Sequence, residues 1–273
     1  MSMITWPVPT PDLPDGVHAP LADAARAAAA AYGVARAQYA RKELAEVVDT
    51  GADGTPTMRV DALVEGAILE SVSRNRVNLL SEEVGFVDHG SAITLVIDPM
   101  DGSANAAMGV PLSCFAGAVV RDGVATEALT LWLDTGRTWW ALADEPTPYR
   151  TTGRTTVDGS SIAMLRPKDN SMSSWLRVAN RVDRVRVLST TCLEAALVAE
   201  GSMDAFVDPG SDTHRIMDLA AAMVTLPSAG GVVLDARGRP LEFDLDLSRR
   251  WSGIAAATRH LADKLAEIVT EAG

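Results

Sequence analysis

The sequence contains few residues of the kinds that anchor soft metals or disulfides. Cys114 and Cys192 are its only cysteines. They form no metal-type spacing, and a reducing compartment is the simpler reading. The four histidines are scattered, which argues against a zinc cage. Basic charge is not in excess. A formal charge of −12 argues against a nucleic-acid backbone or an anionic membrane as the main partner. The opening MSMITWPVPTPDLPDGVHAP lacks the basic start and apolar centre of a signal peptide and reads as an extended, Pro-rich arm. No long apolar run is present. The Ala-rich stretch over 22–40 carries Asp23, Arg26 and Arg36, too polar for a membrane span. These absences lead to the expectation of a cytoplasmic protein. With 47% hydrophobic and 22% charged residues, the chain has the composition of a globular protein. Its 273 residues permit one large domain or two moderate ones.

What is present divides in two. Residues 21–48 and 58–73 read as helices, the second with Val60, Leu63, Val64, Ala67 and Ile68 at helical spacing. The period then shortens. Strands are expected at 77–80, 93–97, 114–120, 125–133 and 137–143, the last three joined by the short turns RDGV and DTG. Helices followed by such a meander predict an α+β layer. From about 150 the pattern alternates, with strands at 162–165, 184–188, 204–207, 231–234 and 252–257. Helices are expected at 172–180, 191–200, 215–227 and 258–271. This predicts a second, α/β layer system, with a division at 148/149 into an N-terminal and a C-terminal part.

Acidic residues gather at element ends. Glu82 and Glu83 follow one strand, and Asp98 and Asp101 follow the next. Asp61 sits early in the second helix, and Asp218 opens a later one. Each has an ordinary reading alone: strand-end acids are usually solvated, and first-turn acids usually serve the helix dipole. Together they match the oxygen ligands that magnesium prefers. Behind Asp101, Gly102 lets backbone approach a ligand, and a helix opening at GSANAAMG would offer free N–H groups to a phosphate.

Taken together, SEEVG, DPMDGSAN and MDLAAAMVTLPSAGGVVLDARGRP resemble the inositol monophosphatase superfamily. Its pattern is an acidic pair, then D-P-x-D-G-[ST]-x-N, then a distant aspartate before an Ala-rich helix and an A-G-G turn. The match runs from about residue 51 to 257. ADGTPTMRVD, VNLLSEEVGFVD and RVRVL are most similar to the archaeal-type branch, whose members hydrolyse inositol phosphate, fructose 1,6-bisphosphate or both. The resemblance implies a layered αβαβα sugar-phosphatase fold and two or three magnesium ions per site. It implies that Glu82, Asp98 and the Met100 carbonyl hold the first metal. Asp98, Asp101 and Asp218 would hold the second. Asp61 would pair with the Ser103 hydroxyl to orient or deprotonate the attacking water, with Glu83 behind. Gly102 and Ser103 N–H groups would seat the phosphate, helped by the helix start at Thr190–Thr191. A homodimer is expected from the resemblance alone.

The chain departs from the pattern at Met217, Ala106 and Ser103, where the family usually has Trp, an aromatic and Thr. None of these removes a metal ligand. The implied activity is magnesium-dependent hydrolysis of a small polyol or sugar monophosphate. The alternatives are a fructose-1,6-bisphosphatase, a nucleotide 3′-phosphatase, a biosynthetic phosphatase, or a non-catalytic binding protein on the same scaffold. Arg215 is the one strong cation of the loop PGSDTHRI and would either grip a second anionic group or a carboxylate, or lie exposed. Ser211, Asp212 and Thr213 suit a second phosphate poorly, which favours a monophosphate. A surface role is expected for His214.

Overall fold

The order of elements follows from where apolar residues recur. In the computed structural model, which describes residues 2–271, Pro20 in the first turn opens α1 (Ala19–Gln38). Leu21, Ala25, Ala28, Tyr32 and Ala35 line its buried face. The helix expected over 21–48 stops at Gln38, because Tyr39 turns to extended backbone. Residues 41–44 form the short α2 (Arg41–Leu44). The β-branched pair Val47–Val48 then enters a hairpin of β1 (Val47–Thr50) and β2 (Pro56–Met58), which pair antiparallel. The DTGADGTP segment is therefore the loop of a hairpin rather than a break between helices.

α3 (Arg59–Asn75) packs along α1 through Val60, Val64, Ile68 and Val72. Next come β3 (Asn78–Ser81), β4 (Gly85–Val87), β5 (Thr94–Asp101), α4 (Ser103–Met108), β6 (Cys114–Arg121), β7 (Val124–Trp132) and β8 (Thr138–Leu142). The strands form a six-stranded sheet in the order β4-β3-β5-β6-β7-β8, with β3 and β5 parallel and every other pair antiparallel. Side chains alternate across it as a strand requires. Leu95, Ile97, Phe115 and Val119 meet α1 and α3, while Val96, Ala116, Ala118 and Val120 face the other way.

The remaining chain contributes β9 (Ser161–Met164), α5 (Met172–Ala179), β10 (Arg184–Arg186), α6 (Thr191–Ala199) and β11 (Ala205–Val207). It continues with α7 (Ile216–Ala220), α8 (Ala222–Ser228), β12 (Val232–Asp235), β13 (Gly253–Ala256) and α9 (Arg259–Thr270). The helix expected over 215–227 is this α7–α8 pair, which meets at Ala221. The five strands order as β10-β9-β11-β13-β12. Leu193, Ala196, Ala221 and Val224 of the α6–α8 group pack on the six-stranded sheet. Ala195, Val198, Ala222 and Leu226 of the same helices pack on the five-stranded one. Val178, Leu261, Leu265 and Ile268 of α5 and α9 cover its outer face. The layers thus run α1/α3, sheet, α6–α8, sheet, α5/α9, the αβαβα stack. Among the described residues, no helix is long and apolar enough to cross a membrane.

Candidate active site

The segment DPMD ends β5 in a bulge. Asp98 pairs with Ala116 and Asp101 with Cys114, so three steps on β5 oppose two on β6. Pro99 brings no N–H to the disturbed ladder. The Met100 N–H instead donates to Asp98 Oδ1 at 3.1 Å. In a regular strand, residues three apart point to opposite faces. The extra residue turns both carboxylates to the face occupied by Ala116 and Cys114. Gly102 follows at φ 87°, and a Cβ there would sit 2.6 Å from the Leu112 carbonyl. Only glycine fits this turn into α4. The Ser103 hydroxyl donates to the Met100 carbonyl at 2.9 Å. The motif's Asn105 gives its Nδ2 to the carbonyls of Leu112 (2.9 Å) and Leu188 (2.8 Å) and so ties the loops on either side of the site.

Other elements deliver the remaining acids. Asp61 caps the first turn of α3, accepting the Met58 N–H at 3.1 Å. Asp218 does the same for α7, accepting the Arg215 N–H at 2.7 Å. The ordinary first-turn role is therefore observed for both acids. Glu82 leaves the end of β3 and is buried. The β1–β2 loop rests on this turn: the Ala52 and Asp53 N–H groups donate to the carbonyls of Glu83 and Glu82 at 2.9 and 3.2 Å. Thr57 also donates to the Glu83 carboxylate.

Burial and mutual repulsion dominate the electrostatics. Burial raises Asp98 well above the usual carboxylate range, reinforced by the charges of Glu82, Asp101 and Asp218. Glu82 is raised by burial against the pull of Arg215. Burial, then Asp218, pushes Asp101 up to about 6, against hydrogen bonds from Cys192 and Thr190. Asp61 reaches about 7 through burial, although the nearby Ser103 hydroxyl lowers it. Its Oδ1 is buried with no hydrogen-bond partner. Each buried carboxylate costs several kcal/mol unless it is compensated. Among the described residues no Lys, Arg or His nitrogen comes within 4.0 Å of Asp61, Glu83, Asp98 or Asp101.

This donor set fits a hard divalent cation. Glu82, Asp98, Asp101, Asp218 and the Met100 carbonyl offer oxygens, and the orphaned Asp61 oxygen adds a buried acceptor. Oxygens of Asp98 and Asp101 lie within 4.8 Å of each other and of the Cys192 sulfur. The sulfur is a poorer donor for such an ion. It donates to the Asp218 carbonyl at 3.3 Å, and the Cys114 thiol and burial hold it protonated.

The helix start at Thr190–Thr191 has a different first partner from the one implied by the resemblance. The Thr190 hydroxyl and the Cys192 N–H both donate to Asp101 Oδ2, at 2.9 and 2.6 Å. Two further expectations are corrected. Arg215 is not exposed: its guanidinium turns to the protein's own carboxylates at the wall of the site's cavity. His214 is 1% exposed. Its Nδ1 accepts the Gly253 N–H at 3.1 Å, so Nε2 carries the proton toward Thr191 Oγ1, also 3.1 Å away.

Four residues escape the sequence reading. Asp53 reaches Arg215 at 2.6 Å from the hairpin loop. Glu65, one turn beyond Asp61, is raised to about 7 by burial and has an unpartnered Oε1. The i, i+4 spacing from Asp61 is the signal that could have found it. Glu194 accepts the Leu188 and Thr190 N–H groups. Lys168 enters the site from the loop before α5. A cavity of about 430 Å³ is lined by Asp61, Glu82, Glu83 and Ser103 together with Lys168 and Arg215.

Comparison with known proteins identifies the family and the fold. The Inositol monophosphatase family profile matches residues 18–273. A fructose-1,6-bisphosphatase/inositol-1-monophosphatase of Thermococcus kodakarensis is 30% identical over 240 residues, covering 85% of this chain and 90% of the relative. A histidinol-phosphatase of Mycobacterium tuberculosis is 29% identical over 206 residues, covering 67% and 75%. The crystal structure of an inositol monophosphatase-fructose 1,6 bisphosphatase superposes with a TM-score of 0.75 at 28% identity, covering 84% of this chain and 91% of that one. By profile, identity and fold, the chain belongs to the inositol monophosphatase family, whose members are generally metal-dependent.

Proposed function

We propose that the chain is a magnesium-dependent phosphoric monoester hydrolase acting on a small polyol or sugar phosphate. The observation that carries this reading is the convergence of Glu82, Asp98, Asp101 and Asp218 from three elements, beside a buried Asp61 oxygen with no partner. When bound, magnesium polarises phosphoryl oxygens, lowers the pKa of water and neutralises the leaving oxygen. Glu82, Asp98 and the Met100 carbonyl would hold one ion. Asp98, Asp101 and Asp218 would hold a second, giving two or three ions per site. Asp61 Oδ1 is the acceptor for the proton of the attacking water. The Ser103 hydroxyl, already anchored on Met100, orients that water, and Glu83 sustains the negative field behind it. The first-turn N–H groups of α4, beginning at Gly102 and Ser103, have no intrahelical acceptors and receive phosphate oxygens. The Thr190 hydroxyl and the Cys192 N–H hold Asp101 from the start of α6, and Thr191 bonds His214. The products are an alcohol and inorganic phosphate. A cytoplasmic location and a homodimer complete the proposal. They rest on the composition and on family resemblance.

A second reading concerns the substrate and is favoured by Lys168. Its Nζ lines the cavity and bonds Thr213 Oγ1 at 2.5 Å. Among the described residues no carboxylate lies within 4.0 Å of it. A half-buried cation that Asp208 influences only from beyond that distance suits a substrate with a second anionic group, in contrast to the monophosphate favoured by residues 211–213. Phosphate release from inositol 1-phosphate, fructose 1,6-bisphosphate, histidinol phosphate and a 3′-nucleotide, with and without magnesium, separates the readings. Preference for the bisphosphate supports the Lys168 reading and rejects the monophosphate. Absence of release from every ester supports a non-catalytic binding protein.

A further inference from the structure

Arg215 occupies the place of a cation among the acids. Its Nη1 lies 2.5 Å from Glu82 Oε2 and 2.6 Å from Asp53 Oδ2. Its Nη2 lies 3.3 Å from Asp218 Oδ1, and its Nε and backbone N–H both donate to Asp218 Oδ2, at 3.4 and 2.7 Å. Both oxygens of Asp218 and one of Glu82 therefore already face one guanidinium. The Asp98–Asp101 pair is different. Asp98 accepts one bond from a backbone N–H, Asp101 is bonded through Oδ2 alone, and no basic side chain reaches either.

A magnesium ion needs oxygens at about 2.1 Å in a near-octahedral shell. Beside Arg215 such an ion meets the repulsion of the guanidinium and competes with it for Glu82 Oε2 and both Asp218 oxygens. We infer that Arg215 is a built-in competitor of the divalent cation, blocking the Glu82–Asp218 side of the site while leaving the Asp98–Asp101 side open. The inference rests on the metal reading of the site given above. It predicts two unequal classes of metal binding. The tighter class centres on Asp98 and Asp101 and forms without Asp218, which joins as a ligand only when Arg215 withdraws. The weaker class requires Arg215 to leave Glu82 and Asp218. Asp53 binds the same Nη1 as Glu82 and reinforces the block.

The test is calorimetric titration of the metal-free full chain with magnesium, and in parallel with manganese followed by its electron-spin resonance. Wild type shows one tighter and one weaker class. In Arg215→Met the weaker class tightens at least tenfold and the tighter class changes less than twofold. In EDTA, Arg215→Met melts below wild type, because Glu82 and Asp218 lose their counter-ion, and it gains more on adding magnesium. Arg215→Lys keeps the charge but reaches fewer carboxylates, and its weaker class falls between the two. It also carries the test if Arg215→Met does not fold. Unchanged or weakened metal binding in both variants, with lost affinity for inorganic phosphate in the metal-loaded protein, overturns the inference and makes Arg215 a phosphate ligand. A wild type that binds neither metal overturns both the inference and the metal reading beneath it.

Discussion

Asp98 and Asp101, three residues apart on one strand, face the same side of the six-stranded sheet: one opposes Ala116 and the other Cys114. That relation exists because a single residue is bulged out beside Pro99. It brings two carboxylates together, Asp98 buried and Asp101 partly buried, where neither has a basic partner. At 4 Å, two like charges in a medium of effective dielectric near 20 repel by roughly 4 kcal/mol. On the proposed metal reading a divalent ion would relieve this repulsion, and the proposed hydrolysis would draw on the same charge.

Asp98→Asn removes the charge proposed to be shared by both ions. Magnesium-dependent phosphate release should fall at least about 100-fold. Metal titration should lose its tighter class, while far-UV circular dichroism stays unchanged. A variant that retains wild-type turnover would remove Asp98 from the chemistry.

Asn105→Ala strips the donors from the Leu112 and Leu188 carbonyls. The urea midpoint should drop by the equivalent of roughly 1–3 kcal/mol. Asn105→Asp should fare no better, since it also lacks the amide N–H groups. A change below a few tenths of a kcal/mol would show that the two loops do not depend on this clamp.

Much of this was legible in the chain. The helical period of Val60, Val64 and Ile68 and the β-branched run before Asp98 marked α3 and β5, and the Asp-Pro-x-Asp-Gly motif marked the site. The β1–β2 hairpin was not legible, because all four residues of β1 are exposed and carry no inside–outside alternation. The end of α1 at Tyr39 was hidden because neither Gly nor Pro marks it. The inward turn of Arg215 is a choice of rotamer made by Glu82, Asp53 and Asp218, which lie up to 162 residues away in sequence. Local patterns carry no trace of such a choice. Burial of His214 has the same origin: its backbone pairs with Trp251, and its ring is held between Thr191 and Gly253.

Lys168→Met tests the unpaired cation in the cavity. For fructose 1,6-bisphosphate, KM should rise about tenfold with kcat nearly unchanged, the loss of one charged contact of roughly 1.4 kcal/mol. For p-nitrophenyl phosphate, which has no distal anion, KM should not move. Equal effects on both substrates would assign Lys168 to the loop rather than to the substrate.

Glu194 gives a pH signature outside the proposed metal ligands. Burial holds its carboxyl up at about 8, against an ordinary 4.5, despite hydrogen bonds from Leu188 and Thr190. Between these values the folded chain keeps a proton that the unfolded chain releases. The stability from this group is full below pH 4.5 and is lost as pH rises through about 8. Glu194→Gln cannot titrate. Measured by urea unfolding in EDTA, its stability relative to wild type should therefore climb from pH 5 to pH 8, by up to a few kcal/mol. A pH-independent difference would contradict the assignment.

The most direct measurement is anomalous diffraction from crystals soaked in manganese. The account predicts a peak bonded to the carboxylates of both Asp98 and Asp101, with oxygen distances of about 2.1–2.3 Å, typical of hard divalent ions. Manganese bound only elsewhere, with Asp98 and Asp101 left bare, would contradict it.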